Sequence, residues 1–136
     1  MLGLALRYGK GAVHLNDVAK EENISEKYLS QLVLPLKGRG LLTSVRGPNG
    51  GHALSRHPST ISLKDVVEAL EGDIRLMDGE RNKGGERNRL SVNVMLDVWG
   101  SLGRQLAEAL KQVVLQDLVE RYQALGRTSA DNGYQI

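Results

Sequence analysis

A mostly α winged helix-turn-helix, with a two-stranded β wing and a long C-terminal dimerisation helix, is the fold class that the sequence predicts. Three observations predict it. Two short helical stretches lie on either side of Asn23-Ile24-Ser25, a glycine-tipped pair of β-compatible segments follows at once, and a long helical run with a wide apolar band comes later.

Composition bounds the rest. A chain of 136 residues suits one domain with an accessory helix better than a two-domain enzyme. Aromatics are 4% of the chain, with no Phe and one Trp, so the core is expected to be aliphatic. No apolar run approaches a membrane span and no signal peptide opens the chain, which predicts a cytoplasmic protein without a membrane partner. The absence of Cys excludes disulfides, thiolate nucleophiles and all-cysteine metal sites. The net charge is only +2, but residues 1–60 hold eight Lys/Arg against four Asp/Glu, whereas residues 61–136 hold ten against twelve. The basic first part suits a polyanion or, more blandly, a solvated face.

The elements follow in order. Leu2 to Leu6 reads as the end of a helix stopped at Gly9 and Gly11. Leu15, Val18 and Ala19 share a helical face, with Asn16 as a possible cap and Asn23 as the end. A buried Ile24 then separates this helix from one capped by Ser25, whose apolar stripe is Leu29, Leu32, Val33 and Leu36. Pro35 predicts a kink or early loosening there, and Gly38 and Gly40 end the helix. Residues 41–46 and 52–55, joined by Gly47-Pro48-Asn49-Gly50-Gly51, read as the wing hairpin. Ser62 caps a helix that carries Leu63, Val66, Val67 and Leu70 on one face, stops at Gly72, and is expected under the wing. These segments make residues 1–72 a winged-helix DNA-binding domain. Residues 73–90, polar and with three glycines, read as a flexible charged loop, and residues 91–126 as one continuous helix. Residues 127–136 read as a disordered tail. The apolar band of the long helix is wider than one small domain needs, so Leu102, Leu106, Leu110 and Val113 are the candidate dimer interface. Packing back on the same domain is the plainer alternative.

No catalytic constellation can be placed. His14, His52 and His57 lack helical ligand spacing and cysteine support, so no metal site is expected, and the glycine-rich tip lacks the Gly-Lys-Ser/Thr ending of a phosphate loop. The same residues serve nucleic acid better. The first turns of the Ser25 helix offer Ser25, Glu26, Lys27, Tyr28, Ser30 and Gln31, of which Lys27 suits guanine or phosphate and Gln31 suits adenine. Ser25 is also the cap, and Tyr28 has a packing role open to it. Arg46 suits a narrow minor groove, unless it is a plain surface charge; Lys37, Arg39 and Asn49 suit phosphates. His52 completes the candidate set on the wing.

The segments Asn23-Ile24-Ser25-Glu26-Lys27-Tyr28-Leu29-Ser30-Gln31-Leu32, Pro35-Leu36, Gly40-Leu41-Leu42 and Ser44-Val45-Arg46-Gly47-Pro48-Asn49-Gly50-Gly51-His52-Ala53-Leu54 together resemble the signature of the IscR-type bacterial transcription regulators, also called the Rrf-two family. The likeness extends through residues 61–72 and Leu115-Gln116-Asp117-Leu118, nearly the whole chain. It implies a homodimer clasped by the long helix and bound to an imperfect palindrome, with the Ser25 helix in the major groove and the Arg46 wing in the minor groove. Sensor members of the family hold a 2Fe–2S cluster through cysteines upstream of a tryptophan that matches Trp99. Here the matching positions include Gly79 and Asn93, and Leu96 stands where some members have a histidine ligand, so no cofactor is expected. Ser30 replaces a common Glu, and Met1 falls inside the first helix, as if the start were shortened. The resemblance therefore points either to the cluster-free, CymR-like branch or to a cluster-null derivative of a sensor member, and implies as further partner an enzyme of cysteine biosynthesis or a small-molecule effector. The expected function is a sequence-specific, DNA-binding repressor. The competing expectation, favoured by the small net charge, is a winged-helix adaptor that binds a protein without reading DNA.

Overall fold

The structure, a computed structural model, describes residues 1–74 and 86–133. Its elements are α1 (Leu2–Ala5), α2 (Leu15–Glu22), α3 (Glu26–Gly38), β1 (Leu42–Val45), β2 (Gly51–Leu54), a 3₁₀ turn (Pro58–Thr60), α4 (Leu63–Glu71), α5 (Glu86–Gln112) and α6 (Leu115–Gly133).

Local chemistry explains most boundaries. α2 ends at Asn23, whose left-handed backbone (φ 52°) reverses the chain into α3, where the Ser25 hydroxyl accepts from the Tyr28 amide at 3.4 Å. α4 has a full capping box: Ser62 Oγ accepts from the Asp65 amide, and Asp65 accepts from the Ser62 amide. Two expectations shift here. α2 begins at Leu15 with His14 in the cap position, so Asn16 lies inside the helix and not at its start. α3 runs on past Pro35 to Gly38 and is not shortened by it.

The wing pairs antiparallel in the register Leu42↔Leu54 to Val45↔Gly51. Val13 and His52 exchange amide–carbonyl bonds of 2.8 Å in both directions, so β2 has a backbone partner on each side. Only glycine fits the two tip positions next to that contact. A Cβ on Gly51 would lie 2.3 Å from the Val13 carbonyl oxygen, at φ +139°, and one on Gly50 would lie 2.3 Å from that of Val45.

The core is aliphatic, as composition demands. Ile61 and Leu115 are its most enclosed members, surrounded by Leu4, Val33, Leu36, Leu41, Leu42, Leu54, Ala69 and Val119. α1 packs on α6 and β2, and α6 also packs on the 3₁₀ turn. α4 packs chiefly against α3 and α5, where spacing alone predicts a place under the wing.

The C-terminal half corrects the expected continuous helix over 91–126. Helix α5 stops at Gln112 and α6 starts at Leu115. Between them the chain runs antiparallel to residues 61–63: Leu63 N donates to Val113 O at 2.8 Å and Leu115 N to Ile61 O at 2.9 Å. Asp117 accepts from the Val114 amide at 2.9 Å and caps the new start. Two adjacent β-branched valines and an extended backbone beside them make this break favourable. Helix α5 also begins at Glu86, inside the stretch expected as a loop, and α6 carries helix through Gly133, into the expected tail. The rest of that loop, residues 75–85, and residues 134–136 lie outside the described residues.

Candidate nucleic-acid interface

Helix α3 buries one side and exposes the other. Val33 and Leu36 are buried and Leu29 and Leu32 half-buried, while Lys27, Ser30, Gln31 and Lys37 are exposed on the outer side. Ser25 and Glu26 are exposed at the helix start. Their uses differ. Ser25 is committed to capping, and the Ser30 hydroxyl donates to the Glu26 carbonyl at 2.9 Å, so it can offer a base only its lone pairs. Lys27 and Gln31 have no such intramolecular bond among those described, and Gln31 presents the amide that suits adenine. Pro35 has no amide hydrogen to return to the Gln31 carbonyl, which also leaves that backbone acceptor without its usual helical donor.

Two expectations about apolar groups are corrected. Tyr28 is 54% exposed, so packing takes up less than half of its surface. Ile24, which follows the left-handed Asn23, is 40% exposed and not buried between the helices.

The wing adds a second set. Arg46 and Asn49 are exposed on the five-residue tip, and the Gly50 amide donates to the Gly47 carbonyl at 2.9 Å, which closes the tip into a turn. His52 is half-buried on β2, with Nδ1 3.0 Å from the Ser44 hydroxyl across the strand pair. Burial, and after it the positive charge of Lys37, push the His52 pKa below its ordinary value. Arg39 is exposed just after α3. The structure thus places Lys27 and Gln31 on one outer face of α3, His52 on β2 of the wing, and Arg46 and Asn49 on its tip.

The candidate interface on α5 is divided. Leu102 and Leu106 are each 41% exposed, whereas Leu110 and Val113 are half-buried near the α5–α6 break. Val94 and Val98, also exposed, extend the Leu102–Leu106 line at intervals of four residues.

The profile of Rrf2, described as iron-dependent transcriptional regulators, matches residues 1–121. The chain belongs to the Rrf2 family. It is 33% identical over 118 residues to the HTH-type transcriptional regulator CymR of Bacillus subtilis, covering 87% of this chain and 80% of that protein. It is 31% identical over 139 residues to the HTH-type transcriptional regulator IscR of Erwinia tasmaniensis, covering all of this chain and 81% of that one. Among solved structures, CymR of B. subtilis, the global cysteine regulator, aligns with TM-score 0.68 at 31% identity, covering 88% of this chain and 87% of its own. IscR of T. potens aligns with TM-score 0.69 at 31% identity, covering 89% and 78%. The winged-helix fold and the role of a DNA-binding transcription regulator, not an enzyme, follow from this membership.

An iron–sulfur cluster does not suit the residues present. The chain has no thiolate, Asn93 is an exposed amide, and Leu96 is a half-buried hydrocarbon; Gly79 lies outside the described residues. No group of three or more potential metal ligands occurs among the described residues. No described helix is long and apolar enough to cross a membrane.

Proposed function

We propose that this Rrf2 member is a cytoplasmic repressor that binds a palindromic operator as a homodimer, without a metal cluster. The observation that carries this reading is a combination: a helix α3 with exposed polar residues on its outer side, and an α5 line of Val94, Val98, Leu102 and Leu106 that the described residues leave about half exposed. Burying that line against a second copy places two α3 helices about a two-fold axis, and such an arrangement matches inverted half-sites. Occupying an operator is enough to exclude a competing protein, so repression needs no further active group.

In this reading Lys27 and Gln31 face bases, Arg46 enters the minor groove, and Lys37, Arg39 and Asn49 hold phosphates, with Ser25, Tyr28, Ser30 and His52 at the edges of the interface. Likeness to a global cysteine regulator supports an input from cysteine metabolism, through a small ligand or a partner enzyme. Gel shift on fragments of its own promoter at rising salt tests the reading. A sequence-dependent, salt-steep shift is expected, with Lys37→Ala reducing the salt slope by about one counterion per subunit and Arg46→Ala weakening A/T-rich sites most. No shift at low salt would overturn it in favour of the protein-binding adaptor.

A further inference from the structure

Leu34 is the most exposed large apolar side chain among the described residues, at 72%, and it sits in the middle of α3. A single exposed leucine is ordinary on a protein surface. Its place on this helix is not ordinary. Seven residues make about two turns, so Leu34 stands almost directly above Lys27 and one turn beyond Gln31. Val33, Leu36 and Leu29, the side that meets the core, lie around the opposite side of the same helix. Leu34 therefore occupies the centre of the outer face, in line with the two residues that the proposed function assigns to bases.

Nothing on the helix shelters it. A residue four positions on would lean back toward the helix start and cover residue 34. That position is Gly38, which has no side chain, and a Cβ built there meets nothing within 4 Å. The outer line thus reads, in order, ammonium (Lys27), amide (Gln31), hydrocarbon (Leu34) and bare backbone (Gly38).

We propose that Leu34 is a specificity-determining residue that recognises the C5-methyl group of a thymine in each half-site. A leucine can neither donate nor accept a hydrogen bond, so phosphates and the polar edges of bases offer it nothing. The thymine methyl is the apolar feature that the major groove presents, and contact with it distinguishes thymine from cytosine at the same position. The inference rests on the reading of α3 as the major-groove helix.

The test uses the full chain and duplexes selected by it from a random pool. Each thymine of the selected site is replaced in turn by deoxyuridine, which lacks only the methyl group. The wild-type chain is expected to lose about fourfold in affinity per half-site at one such position, the effect of uncovering one methyl. Leu34→Ala, an exposed change to a good helix former, is expected to bind the thymine site more weakly by a similar factor and to be indifferent to deoxyuridine there. Circular dichroism checks that the variant remains folded. If wild type and Leu34→Ala respond alike to deoxyuridine at every position, the inference is overturned while the DNA-binding reading stands. If the wild-type chain selects no sequence from the pool, the reading itself fails and takes the inference with it.

Discussion

Leu34 apart, the winged region covers its leucines, whereas helix α5 leaves Leu90, Leu102 and Leu106 exposed. In the first, Leu36, Leu41, Leu42 and Leu54 are buried together around Ile61, and the exposed surface of the wing includes Thr43, Ser44, Arg46 and Asn49 beside Val45. In the second, Leu90 is 68% exposed, Val94 55%, Val98 48%, and Leu102 and Leu106 41% each, along one helix. With Leu34 as the exception, the leucines of the first region are buried or half-buried within the chain; those of the second line are left largely exposed by the described residues. An exposed apolar line of this length is costly in water, and under the proposed function it meets a second copy, whereas the wing's exposed polar groups suit a wet, charged partner.

Leu106→Glu is the largest expected effect and separates the two regions directly. It would place a carboxylate in the seam from each copy, and an unpaired buried charge costs on the order of 3–5 kcal/mol. Light scattering should then find monomers at micromolar concentration with the winged domain still folded; a persistent dimer would place the seam elsewhere. Leu115→Ala is the counterpart in the enclosed core. Leu115 is 1% exposed, and removing such a side chain costs about 2–5 kcal/mol, read as a lower urea midpoint. A loss of association with unchanged stability would contradict the division between the regions.

Gln31→Ala tests the polar surface. It should cost about 1–3 kcal/mol on the cognate site and relax preference at one position of each half-site, while binding to random DNA stays the same. A uniform loss across sequences in competition assays would make α3 a nonspecific basic surface. His52 supplies the smallest effect. Its pKa is held down by burial and by Lys37, so the folded chain prefers the neutral ring and the unfolded chain takes up the proton more readily. Stability is then full above the ordinary imidazole value and falls as pH drops below it. Urea midpoints compared at neutral pH and about pH 5.5 should decline less in His52→Asn than in wild type. An equal decline would remove His52 from the pH dependence.

Much of the fold was legible because its signals are local. Ser25 and Ser62 as caps, Gly72 as a stop and the glycine tip of the wing each depend on a few neighbouring atoms, and each stands where spacing places it. The exposed position of Lys27 and Gln31 on α3 was legible for a similar reason. Lys27 and Gln31 are out of phase with Leu29, Val33 and Leu36, and a helix turns that phase difference into opposite faces. Leu34 carried the same phase signal but, as an apolar residue, did not read as part of a polar surface.

What the amino-acid order determined by itself is therefore the helices and the wing strands through residue 72, though not the 3₁₀ turn at Pro58–Thr60, together with the aliphatic core and the absence of any thiolate for a cluster. Tertiary structure decided the break at Val113-Val114, where helix-forming residues on both sides predict continuity. The extended strand of residues 61–63 offers backbone donors and acceptors to this segment, and pairing with it replaces the helical bonds that the break gives up. It also decided that Ile24 and Tyr28 face outward. Hydrophobicity states what a side chain gains by burial, but only the packed neighbours determine whether a place is there to receive it.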